Sequence, residues 1–208
     1  MNMQTLISTH RNLPQSLNNS VFVDRGRQFV DRMKWDLCVT PQGYEIDEYD
    51  DDDSTYLMVH RFGRHMGSCR VRPTTSNTMI TDHFLQYFPD ACDFLRMQKR
   101  RIYELTRFCR AQDISVEESK VMLKHLAVLL DGYRDRNRLT GFVAVVFPKV
   151  ARFLDSIGVR YILLSKSTMD GNPVYMICIT HAVKVDDAPT RTASVATLPV
   201  RRLCELAA

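Results

Sequence analysis

Three groups of residues have the types and spacing to do chemistry. Arg25-x-x-x-Phe29-x5-Trp35 comes first, and Glu45-x-Asp47-Glu48-Tyr49-Asp50 begins ten residues past the tryptophan. The third group joins Gly67-x-x-Arg70-x-x-Pro73-Thr74 to Glu104-Leu105-Thr106-Arg107-Phe108. Carboxylates and aromatic faces suit a cationic ligand, and guanidiniums suit a carboxylate, which they grip through two parallel hydrogen bonds. Each group alone is weak, since an Asp-x-x-Asp or an Arg-x-x-Pro arises by chance. In isolation Trp35 reads first as a core residue and Glu104 as an ordinary half-exposed strand acid.

Charge is unevenly spread along the 208 residues, although the formal net charge is only +4. Glu45 to Asp53 holds seven acids in nine residues, of which Asp51, Asp52 and Asp53 read as solvated turn residues. Arg96 to Arg110 holds six bases and one acid, and Arg134, Arg136 and Arg138 follow at alternate positions. Clusters of this kind can steer a charged partner. The six cysteines (38, 69, 92, 109, 178 and 204) are scattered without a Cys-x-x-Cys pair, so they read as reduced thiols. No His–Cys spacing points to a metal, and the histidines, His125 among them, read as packing or surface residues. The six-residue apolar run Phe142 to Phe147 is far short of a membrane span. With no basic region followed by an apolar stretch at the N-terminus, a cytoplasmic protein is expected.

The elements that must position these residues follow from periodicity. Val21 to Trp35 reads as a helix with Phe22, Phe29, Val30 and Met33 on one stripe and Arg25 at its edge. A guanidinium there needs a partner, and the acidic run is the obvious supplier. Thr55 to Arg61 and Met66 to Arg72 form a hairpin around Gly63, with Arg72 sharing the strand face of Arg70. Ile80 to Phe88 reads as a short helix and Arg101 to Cys109 as a strand. Ser115 and Glu118 make a capping box for a helix running to about Arg136, with Met122, Leu126, Leu129, Leu130 and Tyr133 inward. Gly141 to Phe147 is a buried strand, a helix starts at Pro148 and stops at Gly158, and Val159 to Ser165 and Pro173 to Thr180 are the last strands. From Lys184 onward the periodicity fades into a loosely packed tail. The order predicts a single α/β domain over residues 1–208, a three-layer α/β/α sandwich with a mixed central sheet of the N-acetyltransferase type. Strand alternation sets Glu104 and Arg107 on opposite faces unless a bulge intervenes.

Taken together, the three groups resemble the acyl-homoserine-lactone synthase (autoinducer synthase) family in residue type, order and spacing, strongly over about residues 20 to 110. The resemblance implies acylation of the amine of S-adenosylmethionine by an acyl thioester, then lactonisation with release of 5′-methylthioadenosine, to make a quorum-sensing signal. It implies S-adenosylmethionine as substrate, no metal or other cofactor, and acyl carrier protein or acyl-coenzyme A as donor. An α-amine with a reference pKa of roughly 8 needs a base near neutrality, a role assigned to Glu104. Arg25, Phe29, Trp35, Asp47 and Asp50 become the substrate-binding set, in an N-terminal segment of residues 1–50. Arg70 and Arg107 are available for the methionyl carboxylate, although Arg107 has the alternative of bracing the acidic loop. Phe142, Val143, Val145 and Val146 are candidates for the acyl pocket, whose apolar lining would not reward a 3-oxo group. Lys99, Arg100 and Arg101, with Arg96, Arg134, Arg136 and Arg138, are candidates for donor docking.

The runner-up is a coenzyme-A-dependent N-acetyltransferase of another amine. Its pyrophosphate loop is met only by the near misses Arg64-x-x-Gly67-x-Cys69 and Arg138-x-x-Gly141-x-Val143. A nucleic-acid-binding module has no motif in its support, since the basic helix end offers one tyrosine, Tyr133.

Overall fold

The structure is a computed structural model that describes residues 2–182; the stretch from Lys184 onward lies outside the described residues. The strands are β1 (Gln4–Thr9), β2 (Thr55–Arg61), β3 (Arg64–Pro73), β4 (Ile102–Arg110), β5 (Gly141–Val146), β6 (Arg160–Met169) and β7 (Asn172–His181). The α-helices are α1 (Gln15–Arg25), α2 (Cys92–Gln98), α3 (Val116–Arg136) and α4 (Pro148–Ser156). The described residues form two compact units, one running up to Arg72 and including Leu105–Gly132, the other comprising Pro73–Glu104 and the described residues from Tyr133 onward. Among the described residues, hydrogen-bonded neighbours run β1-β2-β3-β4 and β4-β5-β7-β6, seven strands of mixed direction.

In the first unit, β1, β2 and β3 are antiparallel. Phe62 and Gly63 turn the β2–β3 hairpin with φ of 52° and 75°. Positive φ at both loop residues matches the twist of the flanking strands. Tyr56 and Met58 pack with Leu13, Val21 and Phe22 of the N-terminal segment and α1. Arg70 lies directly opposite Tyr56 and so shares that face. Gly67 faces the other way, where an added Cβ would overlap the Met122 sulfur of α3. Thus α1 and α3 cover opposite faces of this ladder, as a three-layer arrangement requires. The capping box forms as expected: the Ser115 N–H donates to Glu118 at 2.9 Å and the Glu118 N–H to Ser115 Oγ at 3.1 Å.

In the second unit, β5 runs parallel to the start of β4, with Ile102 opposite Gly141 and Glu104 opposite Val143. Ile80, Phe88, Ala91, Phe94, Ile102, Val143, Leu164 and Met176 form an apolar cluster on one face. Tyr103 and Phe142 point to the other face, their rings 6.2 and 6.5 Å from that of Tyr133.

Several boundaries differ from the sequence reading. The first helix starts at Gln15 instead of Val21, and its α-helical part ends at Arg25. Gly26–Arg32 continues as a π-helix, so the 3.6-residue stripe holds only for the first part of the expected span. The strand β1 and the helix α2 were not anticipated. β1 is a short edge strand of mixed burial whose two apolar residues, Leu6 and Ile7, are adjacent and not alternating, and α2 has seven residues, too few for a periodic signal.

Candidate functional site

The first group of residues meets the second at the end of α1. Arg25, the last residue of α1, is 1% exposed. Its Nε donates to Glu45 Oε2 at 2.6 Å, and Nη1 and Nη2 donate to the two oxygens of Asp50 at 2.8 and 2.9 Å. The acidic loop reaches this close because its backbone is pinned to the helix, the Glu45 N–H donating to Phe22 O at 3.1 Å. Gly26 permits the approach, since a Cβ there would come within 2.6 Å of the Gly43 carbonyl oxygen. Asp47 shapes the loop from within, accepting the Tyr49 N–H on its side chain at 3.0 Å and the Asp50 N–H on its carbonyl at 3.0 Å.

Two further arginines enter from the sheet. Arg70, fully buried on β3, donates to both Asp47 oxygens, to Asp50 Oδ1 at 2.8 Å and to Thr106 Oγ1 at 3.2 Å. Arg107 of β4 pairs with Glu45 at 3.0 Å and Asp47 at 2.8 Å. Arg107 has φ of 52°, the break in alternation that a bulge supplies. Consecutive residues Thr106 and Arg107 therefore bond into the same network. Of the two roles open to Arg107, the geometry matches bracing of the acidic loop.

Arg72 extends the array. It donates to Asp51 and to Ser54 Oγ, and its guanidinium lies 5.6 Å from the Tyr49 ring centre, with that of Arg70 at 5.7 Å. Asp51, Asp52 and Asp53 are exposed turn residues as expected, yet Asp51 also holds Arg72, and Asp52 pairs with Arg11. Tyr56, which the motifs missed, donates its hydroxyl to Asp50 at 2.5 Å. Its register opposite Arg70 is the signal that could have found it, once the hairpin pairing was known.

The electrostatics follow from this pairing. Burial alone would push the Asp50 carboxyl up, but Arg25, then Arg70 and the Tyr56 hydroxyl, hold it well below the ordinary range. Burial would lower the Arg25 guanidinium, and Asp50 and Glu45 reverse this, so it stays charged. The Tyr56 phenol is raised by burial and by Asp50, and it remains a donor. Beside the network, Phe29 and Trp35 stack with centres 5.0 Å apart and planes 7° from parallel, and the Arg107 guanidinium lies over Phe29 at 5.5 Å. Trp35 is half-buried, neither the core residue of the simplest reading nor fully open.

A second polar cluster in this unit was not foreseen. His65 is fully buried, its Nδ1 hydrogen-bonded to Asp24 at 2.8 Å and its Nε2 to Ser68 Oγ at 2.9 Å. Ser68 is itself buried, so the trio ties α1 to β3 and offers no exposed hydroxyl.

In the second unit Glu104 is fully buried, not half-exposed. Its two oxygens accept the N–H groups of Met79 at 3.3 Å and Ile80 at 2.6 Å. The acyl-pocket candidates divide. Val143 and Val145 join the apolar cluster that contains Ile80 and Phe94, whereas Phe142 packs on Tyr133 across the sheet and Val146 shares its face by alternation. The docking candidates divide too. Lys99, Arg100, Arg101, Arg136 and Arg138 are exposed, and the Thr140 N–H to Arg101 O bond of 2.6 Å joins the segments that carry them. Arg134, counted among these bases, is 8% exposed and donates to Thr180 O and Asp135. It is structural, since its guanidinium is spent inside the unit. Among the described residues no group of acidic, histidine or cysteine side chains could hold a metal, and no helix is long and apolar enough to cross a membrane.

The family model for autoinducer synthases matches residues 9–191. An acyl-homoserine-lactone synthase of Vibrio anguillarum is 29% identical over 159 residues, covering 73% of this chain and 78% of that protein. Among solved structures, the AHL synthase LasI superposes with a TM-score of 0.69 at 22% identity, over 90% of this chain and 99% of that one. BjaI, a CoA-dependent acyl-homoserine lactone synthase solved with SAM and isopentyl-CoA, superposes with a TM-score of 0.69 at 18% identity, over 99% and 100% of the two chains. A putative N-acetyltransferase from Lactobacillus plantarum gives a TM-score of 0.56, in keeping with the α/β fold of that type.

Proposed function

The chain belongs to the autoinducer synthase family, and we infer that it is an acyl-homoserine-lactone synthase, an acyltransferase that makes a quorum-sensing signal from S-adenosylmethionine. The family match spans residues from both compact units, which supports treating residues 1–208 as one autoinducer-synthase domain. In the reaction the α-amine attacks the acyl thioester carbonyl, the amide forms, and the thiol leaves with the amine proton. A methionyl carboxylate oxygen then attacks the γ-carbon, the carbon–sulfur bond breaks, and 5′-methylthioadenosine departs as a neutral thioether. The sulfonium itself activates that carbon.

The observation that carries this reading is the buried array in which Arg25, Arg70 and Arg107 hold Glu45, Asp47 and Asp50 beside the stacked Phe29–Trp35 pair. Asp47, Asp50 and the aromatic pair supply the negative charge and ring faces that a sulfonium and an ammonium need. Arg25, Arg70 and Arg107 fix those acids in place. We favour this bracing role for Arg70 and Arg107 over gripping the methionyl carboxylate, because their forks already engage Asp47, Asp50 and Glu45. Glu104 is the general base, directly or through water. Val143 and Val145 line the acyl side, and no metal or further cofactor is invoked. We place the protein in the cytoplasm.

For the donor we propose acyl carrier protein, with acyl-coenzyme A as the other thioester the site can use. Lys99, Arg100 and Arg101 are exposed in one segment and would meet an acidic carrier. Mass spectrometry of the purified enzyme's products, with S-adenosylmethionine and each donor in turn, should find a homoserine-lactone fragment and its acyl mass. Absence of that fragment with every donor overturns the reading. With carrier-bound donor, Lys99→Glu with Arg100→Glu should raise KM at low salt and less so at high salt. An unchanged KM removes this patch and favours coenzyme A.

A further inference from the structure

Glu104 is oriented by a device that none of the three motifs contains. The chain turns from β3 towards Ile80–Phe84 through Thr78, Met79 and Ile80. Thr78 and Thr81 exchange hydrogen bonds across this turn. The Thr81 N–H donates to Thr78 Oγ1 at 3.2 Å, and the Thr78 N–H donates to Thr81 Oγ1 at 2.9 Å. The Thr81 hydroxyl also reaches Thr78 O at 3.0 Å, and the Asp82 N–H donates to that carbonyl at 3.0 Å. A reciprocal pair of this kind satisfies the outer donors of a helical first turn. The two inner donors, the N–H groups of Met79 and Ile80, are aimed at Glu104, one at each carboxylate oxygen. Thr78 is fully buried, and Ile80, Ile102 and Val143 form the apolar surroundings. The charged group on the same turn is Asp82, whose carboxylate at 2.9 Å is the alternative acceptor for the single Thr81 hydroxyl proton.

We propose that Thr78 and Thr81 are positioning residues for catalysis, locking the turn whose Met79 and Ile80 N–H groups fix the orientation and basicity of the Glu104 carboxylate. The proposal rests on the reading of Glu104 as the general base. A carboxylate in an apolar surround reverts to its protonated form unless donors stabilise its charge. Two backbone donors favour the negative charge that an acceptor of the amine proton needs. They also hold its plane, so the same lone pair meets each substrate molecule. Loosening the turn should cost turnover and leave S-adenosylmethionine affinity in place.

The test compares kcat against pH at saturating S-adenosylmethionine for the wild type, Thr81→Val, Thr81→Ser and Glu104→Gln. Thr81 is exposed, so valine there keeps the branched shape and tests the hydrogen bonds, not the packing. In Thr81→Val the carboxylate loses stabilisation and binds its proton more readily. The acid limb of the profile should therefore move to higher pH by about one unit, with kcat at neutrality down roughly tenfold and KM for S-adenosylmethionine within about twofold. Thr81→Ser should restore both the limb and the rate. If Glu104→Gln loses turnover while Thr81→Val keeps the wild-type acid limb, the positioning role is overturned and the base survives. If Glu104→Gln keeps both turnover and acid limb, the base reading falls and the positioning role with it.

Discussion

The first unit buries Arg25, Arg70, Arg72 and Arg107 against a loop that carries Glu45, Asp47, Asp50 and Asp51. The second sets one buried glutamate, Glu104, against an apolar cluster and holds it with backbone N–H groups. The two solve the cost of a buried charge in opposite ways. In the first, each charge is neutralised by side chains that share several partners, so removing one leaves others buried and uncompensated. In the second, the donors belong to the main chain, so a change of the acid leaves at most two neutral N–H groups to be satisfied, and no buried charge. Variants of the first region should lose stability and substrate binding together, and variants of the second should lose chemistry with the fold intact.

The sharpest contrast comes from Glu104→Gln. The amide keeps the size of the side chain but not its basicity, so kcat should fall 10²- to 10⁴-fold, about 3–5 kcal/mol in the barrier. Single-turnover formation of acyl amide and release of 5′-methylthioadenosine should fall in parallel, with the urea midpoint moving less than in Arg25→Ala, since the glutamine carbonyl still accepts one of the two N–H groups. Near-normal turnover would erase the distinction between the regions. Arg25→Ala should do the reverse, destabilising the protein by about 3–5 kcal/mol, the usual cost of breaking a buried pair, as read by chemical denaturation. Its pH behaviour adds a sign. Asp50 is depressed below the ordinary aspartate value of 3.8, so its pairing contributes fully above that pH and is lost as pH falls below it. Wild-type stability should decline more steeply across that acid window than Arg25→Ala stability, and equal slopes would show that Asp50 does not depend on Arg25.

A smaller effect is expected at Gly26, where alanine would press a methyl group against the Gly43 carbonyl. The loop should shift at a cost of about 1–3 kcal/mol, raising KM for S-adenosylmethionine more than it lowers kcat. The smallest effect tests the apolar side. Val145→Phe adds bulk within the cluster and should change the preference between long and short acyl donors by about tenfold. Val146→Phe, on the opposite face, should leave that preference unchanged. Matching shifts in the two variants would mean that the cluster is packing alone.

The charged region was legible in the sequence because its signal is chemical and local: seven acids in nine residues, with arginines at fixed spacings. That Arg25 needs an acidic partner followed from burial cost alone. The number of arginines converging on one loop did not follow, because it depends on which strand residues lie opposite one another. The break in alternation at Arg107 could be named as an exception but not located, since alternation is the only rule a strand sequence offers and the positive φ there breaks it. Periodicity found α3, β5, the β2–β3 hairpin and the last two strands. It overextended the first helix, where a π-helix winds the side chains at a different angle, and it missed β1, whose adjacent Leu6 and Ile7 give no alternating pattern. The depth of Glu104 was out of reach too, because the N–H groups of Met79 and Ile80 that meet it belong to the main chain, which no residue type announces.

Gln28, on the π-helical stretch, has a quieter consequence. Its side-chain amide donates to Phe108 O at 2.7 Å and accepts the Arg110 N–H at 3.1 Å. A lone amide thus imitates a passing peptide group and occupies two ladder positions that a neighbouring strand would otherwise claim. The solvent exchange of the Arg110 amide proton should then report on Gly26–Arg32 and not on the sheet. If that stretch loosens, the proton is released while the rest of β4 stays paired, giving the end of the first helix a spectroscopic voice eighty residues downstream.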